Sequence, residues 1–332
     1  MITDSLLQLN IDMCPTRIEL ELTEKCNLKC RFCYNTQKPI VSQKAYQIID
    51  KLAREGVLEI VLTGGEPMTH PNFLKILSKC SNLFAKVMVQ TNGTFVTEDM
   101  ADHLMNAKVF GVNISLHGNA TIHQQLTCVE GSYDLALSGI KYLITRGVNL
   151  ASNFVLTSEN IESLPQTIEH LYDLGIKEIT LTRFTPAGIG ANNSGLAITS
   201  QQLINALSCA NKKIEHYKDL RIILANSVPY CVLPNELSQY CQYCHFGCSR
   251  FYVDVIGNVL MCGMARIKIG NILEQDFKTM KSSSEIFKQH VLGADVPDKC
   301  KECNHFKTCR GGCRAAAYAC TNNYCGADPY SI

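Results

Sequence analysis

The run Glu24-Lys-Cys-Asn-Leu-Lys-Cys-Arg-Phe-Cys-Tyr34 carries the strongest signal in this chain of 332 residues. It places Cys26, Cys30 and Cys33 at the spacing C-x3-C-x2-C, directly after the strand-like residues 17–23. Three thiolates on one loop can hold three irons of a cubane iron–sulfur cluster, whereas clusters that only carry electrons usually have four cysteines. The fourth iron then stays open to chelate a substrate or cofactor, so the spacing predicts a reactive cluster.

The composition limits the kind of protein. With 46% hydrophobic residues the chain can bury the cores of one large domain and one smaller domain. The formal net charge is +1 and no long basic run occurs, so we expect no nucleic-acid partner. The start Met1-Ile-Thr-Asp-Ser-Leu-Leu has no signal-peptide pattern, and no apolar run is long enough to span a bilayer. We therefore expect a cytoplasmic protein without a membrane partner.

The chain contains 18 cysteines, and their distribution is uneven. Three lie in the opening motif, eleven lie from Cys231 onward, and only Cys14, Cys80, Cys128 and Cys209 are scattered between. Clustered cysteines in a reducing compartment are typical of metal or cluster ligands and not of disulfides. The last third of the chain is therefore predicted to bind metal.

Strand-like and helix-like segments alternate between residues 17 and 226. Strand patterns cover residues 18–23, 59–63, 86–90, 111–116, 149–156, 178–183 and, more weakly, 222–225. Helix patterns cover residues 42–55, 72–84, 97–106, 133–146, 161–174 and 200–217. This alternation predicts an α/β fold with a parallel sheet, partly or wholly closed into a barrel of about six units.

Polar or glycine-rich motifs stand at the ends of five predicted strands. They are the cysteine loop, Thr63-Gly-Gly-Glu-Pro67, Thr91-Asn-Gly93, Ser115-Leu-His-Gly118 and Arg183-Phe-Thr-Pro186. Because chemistry in such barrels occurs at the C-terminal ends of the strands, we expect these motifs to converge on one mouth. From about residue 228 the alternation stops. We therefore predict an N-terminal extension at residues 1–16, the barrel at residues 17–226 and a loop-rich domain at residues 227–332.

Two motifs together resemble the radical S-adenosylmethionine (SAM) superfamily. They are the cysteine loop ending in Phe32-Cys33-Tyr34 and the turn Gly64-Gly-Glu-Pro67. The last third resembles the SPASM subfamily through Cys300-x2-Cys303-x5-Cys309-x3-Cys313, preceded by Cys244 and Gly257-x4-Cys262. The resemblance extends from about residue 17 to the C-terminus. It implies a partial (β/α)6 TIM-like barrel followed by a small, loop-rich domain that binds iron–sulfur clusters.

The resemblance also implies how the barrel binds its cofactors. Cys26, Cys30 and Cys33 would ligate a 4Fe–4S cluster whose open iron chelates SAM. The SAM-binding residues would be Gly64, Gly65 and Glu66 at the ammonium group, Asn92 and Ser115 at the ribose or methionine, and Arg183 at the carboxylate. Arg183 has an alternative role as a salt bridge at the rim. Cluster reduction would split SAM into methionine and a 5′-deoxyadenosyl radical, which takes a hydrogen atom from the substrate.

Two auxiliary 4Fe–4S clusters are implied in the C-terminal domain, which makes three in all. The first would use Cys262 and Cys313 with two of Cys241, Cys244 and Cys248. The second would use Cys300, Cys303 and Cys309. Its fourth ligand is open, because the family ends in Asp-Pro-x-Cys and this chain has Asp328-Pro-Tyr-Ser331. Cys320 or Cys325 would replace it, or the iron would be open or bound by oxygen.

The two cysteine groups, Cys128 and His117 each allow a second interpretation. A structural zinc site needs four ligands, usually in two spaced pairs, and neither cysteine group has that pattern. Cys128, in Leu126-Thr-Cys-Val-Glu-Gly131, is either a loop cysteine or a hydrogen donor to a substrate radical, as in radical epimerases. His117 is either a hydrogen-bonding neighbour of the site or a catalytic base.

The resemblance implies an oxidoreductase-type enzyme with two open substrate classes. The first is a ribosomally made peptide or protein, modified by oxidation, thioether or carbon–carbon crosslinking, or epimerisation. The second is a small molecule, such as a sugar, an aminoglycoside or a tetrapyrrole. Only about 16 residues precede the first strand, so we expect any peptide-recognition protein to be separate. A flavodoxin- or ferredoxin-like protein would supply the electron. A non-catalytic iron–sulfur or zinc protein is a third hypothesis, against which the intact SAM motifs argue.

Overall fold

A single ten-stranded sheet organises the computed structural model, which describes residues 4–331. The strand order is β10-β9-β8-β1-β2-β3-β4-β5-β6-β7. The strands are β1 (Arg17–Glu21), β2 (Glu59–Thr63), β3 (Lys86–Thr91), β4 (Gly111–Ser115), β5 (Leu150–Leu156), β6 (Glu178–Arg183), β7 (Arg221–Leu224), β8 (Arg250–Val253), β9 (Asn258–Leu260) and β10 (Lys268–Asn271). Strands β8 and β1 to β7 run parallel, and β9 and β10 are antiparallel additions. Over the described residues β10 and β7 do not pair, so the barrel is open.

The helices between β1 and β7 connect parallel strands, as the alternation predicts. The α-helices of the described residues are α1 (Asp4–Asp12), α2 (Ala45–Glu55), α3 (Phe73–Leu83), α4 (Glu98–Asn106), α5 (Ala120–Thr127), α6 (Ser132–Thr145), α7 (Leu164–Asp173), α8 (Ser200–His216), α9 (Phe277–Ser283), α10 (Glu285–Leu292), α11 (Asp298–Lys301), α12 (Phe306–Cys309) and α13 (Arg314–Thr321). All seven predicted strands and all six predicted helices are confirmed. The α/β fold with a partly closed barrel is therefore confirmed. The helices α1, α5 and α9 to α13 were not predicted. Residues 1–3 of the predicted N-terminal extension and residue 332 of the predicted C-terminal domain lie outside the described residues.

The two faces of the sheet differ in chemistry because successive side chains of a strand point to opposite faces. On β1, Ile18 and Leu20 are fully buried in the core that the outer helices cover. Between them Glu19 faces the inside of the open barrel, where it lines a cavity. Parallel strands that are covered on both faces are usually apolar throughout. A carboxylate at an inward position therefore marks a functional interior.

The C-terminal region continues the sheet instead of forming only loops. Strand β8 pairs with β1 in parallel, with Leu20 opposite Val253. The backbone N–H groups of Thr16 and Arg17 both donate to the carbonyl of Ser249 and extend this contact. The domain boundary predicted at residue 226 falls between β7 and β8 and stays a prediction. Among the described residues, no helix has the length and apolar character required to cross a membrane.

Candidate active site

One cavity of about 320 Å³ lies inside the open barrel. All five motifs that the sequence places at strand ends contribute to its lining: Cys26, Cys30 and Cys33, Gly64 and Gly65, Asn92, Ser115, and Arg183. Residues of the C-terminal region line the same space, among them Cys244, Cys262 and Cys313. The cavity therefore connects the cysteine loop of the barrel with the second group of cysteines.

The three thiols of the opening motif are half-buried and line the same cavity. Burial raises the pKa of Cys26 to about 11, although the backbone N–H of Leu28 donates to its sulfur at 3.4 Å. Burial also raises the pKa of Cys30, and repulsion from Cys33 and Cys26 adds to the shift. Metal binding displaces thiol protons, so these thiols fit a cluster that keeps them deprotonated.

The two glycines at the end of β2 allow the next turn to lie directly on the cysteine loop. A Cβ on Gly64 would lie 2.3 Å from the carbonyl oxygen of Thr23, and one on Gly65 would lie 2.4 Å from that of Lys25. The N–H of Gly65 donates to the Thr23 carbonyl at 2.7 Å, which fixes the contact. No larger residue fits this approach without moving the backbone. The pair forms a cradle beside the cluster loop.

The carboxylate of Glu66 is fully buried and faces the protein. It accepts from the Thr91 hydroxyl at 2.9 Å, the Asn92 N–H at 2.8 Å and the Met68 N–H at 3.1 Å. Burial raises the pKa of Glu66 to about 7 against these hydrogen bonds. Glu66 thus anchors the backbone of Asn92, whose side-chain amide lies 3.8 Å from the sulfur of Cys26. The contacts of Glu66 therefore position Asn92, which lies next to the loop that carries Cys26.

Two buried histidines stand beside Ser115 at the wall of the cavity. The Nδ1 of His117 accepts from the Val155 N–H at 3.2 Å, and the Nδ1 of His123 accepts from the His117 N–H at 3.2 Å. Burial lowers the pKa of His123 to about 4 and lowers that of His117 as well. Both rings are therefore neutral and carry their proton on Nε2. These contacts favour a hydrogen-bonding role for His117 over that of a base.

Arg183 lines the cavity, but its guanidinium is already paired. Its two terminal nitrogens donate to the two carboxylate oxygens of Asp328, each at 2.9 Å, and both side chains are fully buried. The ring of Tyr330 lies 4.5 Å from the guanidinium. Asp328 also accepts from the N–H of Cys313 at 2.8 Å. The arginine thus connects the end of β6 with the C-terminal tail and with a cysteine of the second group.

Cys128 lies outside the cavity lining, but it is a neighbour of Cys30, since repulsion from Cys128 contributes to the raised pKa of that cavity-lining thiol. Cys128 is exposed, and it ends α5 in the left-handed conformation with φ 55°. Its sulfur is 3.6 Å from the carbonyl of Gln125, on its own helix. A role of Cys128 as hydrogen donor therefore stays a prediction. The conformation also favours glycine at this position.

The C-terminal cysteines fall into groups. Partial burial raises the pKa of Cys244, and repulsion from Cys313, Cys262 and Cys248 adds to the shift. Cys244, Cys262 and Cys313 line the cavity, whereas Cys241 packs in the apolar core. Cys300 lies in α11, Cys303 on the exposed turn that follows it, and Cys309 at the end of α12. Cys320 is exposed, near Arg183 and Asp328, and Cys325 lies near Lys301.

A buried polar network between the two cysteine groups was not predicted. The Glu21 carboxylate accepts from Asn35 at 2.8 Å, from the Tyr252 hydroxyl at 3.1 Å and from Arg266 at 3.0 Å. Glu19 lies two residues before Glu21 on β1 and lines the cavity, and burial raises its pKa to about 7. The available signal was the pair of acidic residues at alternate positions of a predicted strand, which places both on one face.

Comparisons with known proteins agree with this geometry. The family model described as "Radical SAM superfamily" matches residues 20–171, and the one described as "SPASM: Iron-sulfur cluster-binding domain" matches residues 244–304. An AdoMet-dependent heme synthase of Methanosarcina barkeri is 27% identical over 96% of each chain. A PqqA peptide cyclase of Granulibacter bethesdensis is 24% identical over 95% of this chain and 86% of the relative.

The same fold occurs in a solved structure. Streptococcus suis SuiB bound to its precursor peptide SuiA superposes with a TM-score of 0.78 at 18% identity, covering 98% of this chain and 77% of SuiB. The first matched range includes the cavity residues Cys26, Cys30 and Cys33, and the second includes the cavity residues Cys244 and Cys262. The chain therefore carries a radical SAM domain over residues 20–171 and an SPASM iron–sulfur cluster-binding domain over residues 244–304, and these domains imply an enzyme that uses SAM and 4Fe–4S clusters.

Proposed function

We propose that the chain is an oxidoreductase-type enzyme that cleaves SAM reductively and removes a hydrogen atom from a ribosomally made peptide or protein. One observation carries the proposal: a single cavity is lined by the three thiols of the barrel and by Cys244, Cys262 and Cys313 of the C-terminal region. A substrate in this space lies between the SAM-binding loop and an auxiliary cluster site. Such a site can accept the electron that remains after hydrogen abstraction.

The residues around the cavity fit the cofactors in their donor chemistry. Cys26, Cys30 and Cys33 would hold the cluster, which when bound and reduced splits SAM into methionine and a 5′-deoxyadenosyl radical. The backbone at Gly64 and Gly65 would receive the SAM ammonium group, because no Cβ blocks it. Ser115 and Asn92 supply hydrogen-bonding groups on the same wall. The protein's part is to orient these groups and to exclude water.

The charges of the cavity favour a peptide over a tetrapyrrole. Among the described lining residues the lysine and arginine side chains are Arg183 and Arg314. Arg183 is paired with Asp328, and Arg314 donates to the carbonyls of Asp295, Gly311, Tyr324 and Gly326. A porphyrin with several propionates needs free cations, because a buried carboxylate must be paired. The lining offers Glu19 instead, which suits a peptide N–H, a hydroxyl or an amine.

A tetrapyrrole remains the second candidate. The heme synthase relative is matched over 96% of its own length, whereas the peptide cyclase is matched over 86%. This similarity in matched length supports a shared architecture with the heme synthase. A sugar or aminoglycoside would also suit Glu19 through its hydroxyl or amine groups, but the relatives compared above include no enzyme that acts on one. For the peptide substrate we propose a separate recognition protein, and for either substrate a flavodoxin- or ferredoxin-like electron donor.

SAM cleavage is the first test. Anaerobically reconstituted protein with dithionite and SAM should form 5′-deoxyadenosine, and Cys30→Ala should not, because one ligand of the reactive cluster is lost. The matched control is Cys209→Ala, which removes a half-buried thiol of α8 outside the cavity. If Cys30→Ala cleaves SAM as fast as the wild type, the assignment of the site is wrong.

Substrate class is tested separately. Precursor peptides encoded beside the gene, and a propionate-bearing iron porphyrin, are each added to the SAM-cleaving enzyme under anoxic conditions. Peptide modification appears as a mass change coupled to 5′-deoxyadenosine formation. Turnover of the porphyrin without any peptide product would replace the first candidate with the second.

A further inference from the structure

The C-terminal tail carries no thiol at the position where the family has its last cysteine. Ser331, which stands there, donates its hydroxyl to the carbonyl of Asp328 at 2.7 Å. Asp328 is held by Arg183, and the hydroxyl of Tyr330 donates to the carbonyl of Ile198 at 2.7 Å. These contacts fix the tail on the barrel and commit the proton of the Ser331 hydroxyl to a hydrogen bond within the tail. A thiolate ligand would therefore have to come from elsewhere in the chain.

A segment upstream of the SPASM match packs against a different loop, the one that carries Cys303 and Cys309. The ring of Tyr230 stacks on His305 with 4.3 Å between centroids and 5° between planes. His305 lies between Cys303 and Cys309 in sequence. On the other side of this loop, a Cβ on Gly312 would lie 2.7 Å from the ring of Pro229. The backbone that precedes Cys231 is therefore in direct contact with the loop that carries the second cysteine set.

Cys231 follows Tyr230 directly in the chain, and its side chain is exposed. Because the stacking holds Tyr230 against His305, the thiol of Cys231 can turn toward the loop that carries Cys303 and Cys309. Cys241 instead follows the short helical turn Asn235–Tyr240 and packs in the apolar core.

We propose that Cys231 is the fourth ligand of the second auxiliary cluster, together with Cys300, Cys303 and Cys309. Cys231 would supply the thiolate that the family takes from a cysteine at the position of Ser331. It lies near the start of the C-terminal domain, whereas Ser331 lies near the end. The remaining four cysteines of the core group, Cys244, Cys248, Cys262 and Cys313, then form the first auxiliary set. The proposal rests on the family's cluster content and is independent of the substrate.

Iron content and spectroscopy of the full chain test the assignment. Wild-type protein, reconstituted anaerobically, should hold about twelve irons per chain in three clusters. Cys231→Ala should hold about eight, or about eleven with the electron paramagnetic resonance signal of an oxidised three-iron cluster. Cys231→Ser, which keeps the size of the side chain, should behave in the same way. The measurement needs neither SAM nor substrate, so it stands apart from the test of the proposed function.

Cys320→Ala is the matched control, because it removes an exposed thiol of the same domain near a different set of residues. It should keep the wild-type iron content and spectrum. The far-ultraviolet circular dichroism spectrum and the signals of the other two clusters verify folding. Wild-type iron in Cys231→Ala would overturn the proposal, and so would loss of the second cluster in Cys241→Ala or Cys325→Ala but not in Cys231→Ala.

Discussion

A methyl group at residue 65 tests how closely the SAM cradle and the cysteine loop depend on each other. The Cβ of Gly65→Ala would lie 2.4 Å from the carbonyl oxygen of Lys25 and 2.6 Å from that of Glu24, whereas real Cβ contacts stay beyond 3.0 Å. Both oxygens belong to the backbone, so β2 or the cysteine loop must move by about 0.6 Å or more. Overpacking of this kind costs about 1–3 kcal/mol.

The expected result follows from that displacement. A shift of about 1 Å near reacting groups can lower a rate about 100-fold, so we expect Gly65→Ala to form 5′-deoxyadenosine about 10- to 100-fold more slowly with dithionite and SAM. The control is Gly195→Ala, whose added Cβ meets no heavy atom within 4 Å. A wild-type rate in Gly65→Ala, or an equal loss in Gly195→Ala, would refute the reasoning.

Two further variants test the tail and the exposed thiol. Asp328→Asn leaves the buried guanidinium of Arg183 without its charge partner, at a cost of about 3–5 kcal/mol. It should free the tail for limited proteolysis, and unchanged cleavage would contradict this. Cys128→Gly should stabilise the chain by about 1 kcal/mol, because the left-handed conformation penalises a Cβ. Product formation should not change, and its loss with intact SAM cleavage would identify Cys128 as a hydrogen donor.

Much of the barrel could be predicted because its signals are local. Strands such as β2 are short apolar runs between turn residues, and helices such as α2 repeat their buried positions at helical spacing. The helix α5 was missed because it has only eight residues and a polar composition, although the side chain of Asn119 caps its N-terminus. Strand β8 has four residues, and its place in the sheet depends on β1, more than 200 residues earlier. Such pairing leaves no local pattern.

The candidate site could likewise be predicted only in part, because some of its features are local in sequence and others are not. The strand-end motifs could be found because parallel strands bring their carboxyl ends to one edge. The partners of each side chain could not be found, because they depend on distant residues. Arg183 and Asp328 are 145 positions apart, and the sequence cannot distinguish this pair from a contact with SAM. The proposed ligand Cys231 could not be found because it matches no family spacing. The stacking of Tyr230 on His305 and the approach of Pro229 to Gly312 are what place it near the loop of Cys303 and Cys309.

The C-terminal domain contacts the open barrel on two opposite sides of the cavity. On one side β8 extends the sheet from β1. On the other side Asp328 binds Arg183 at the end of β6. Cys313 lies between, since its backbone N–H donates to the same carboxylate that holds Arg183. A cavity bounded in this way has its auxiliary cysteines positioned by the barrel itself. Movement of the tail would therefore change both the access of a substrate and the position of Cys313 relative to the SAM-binding loop.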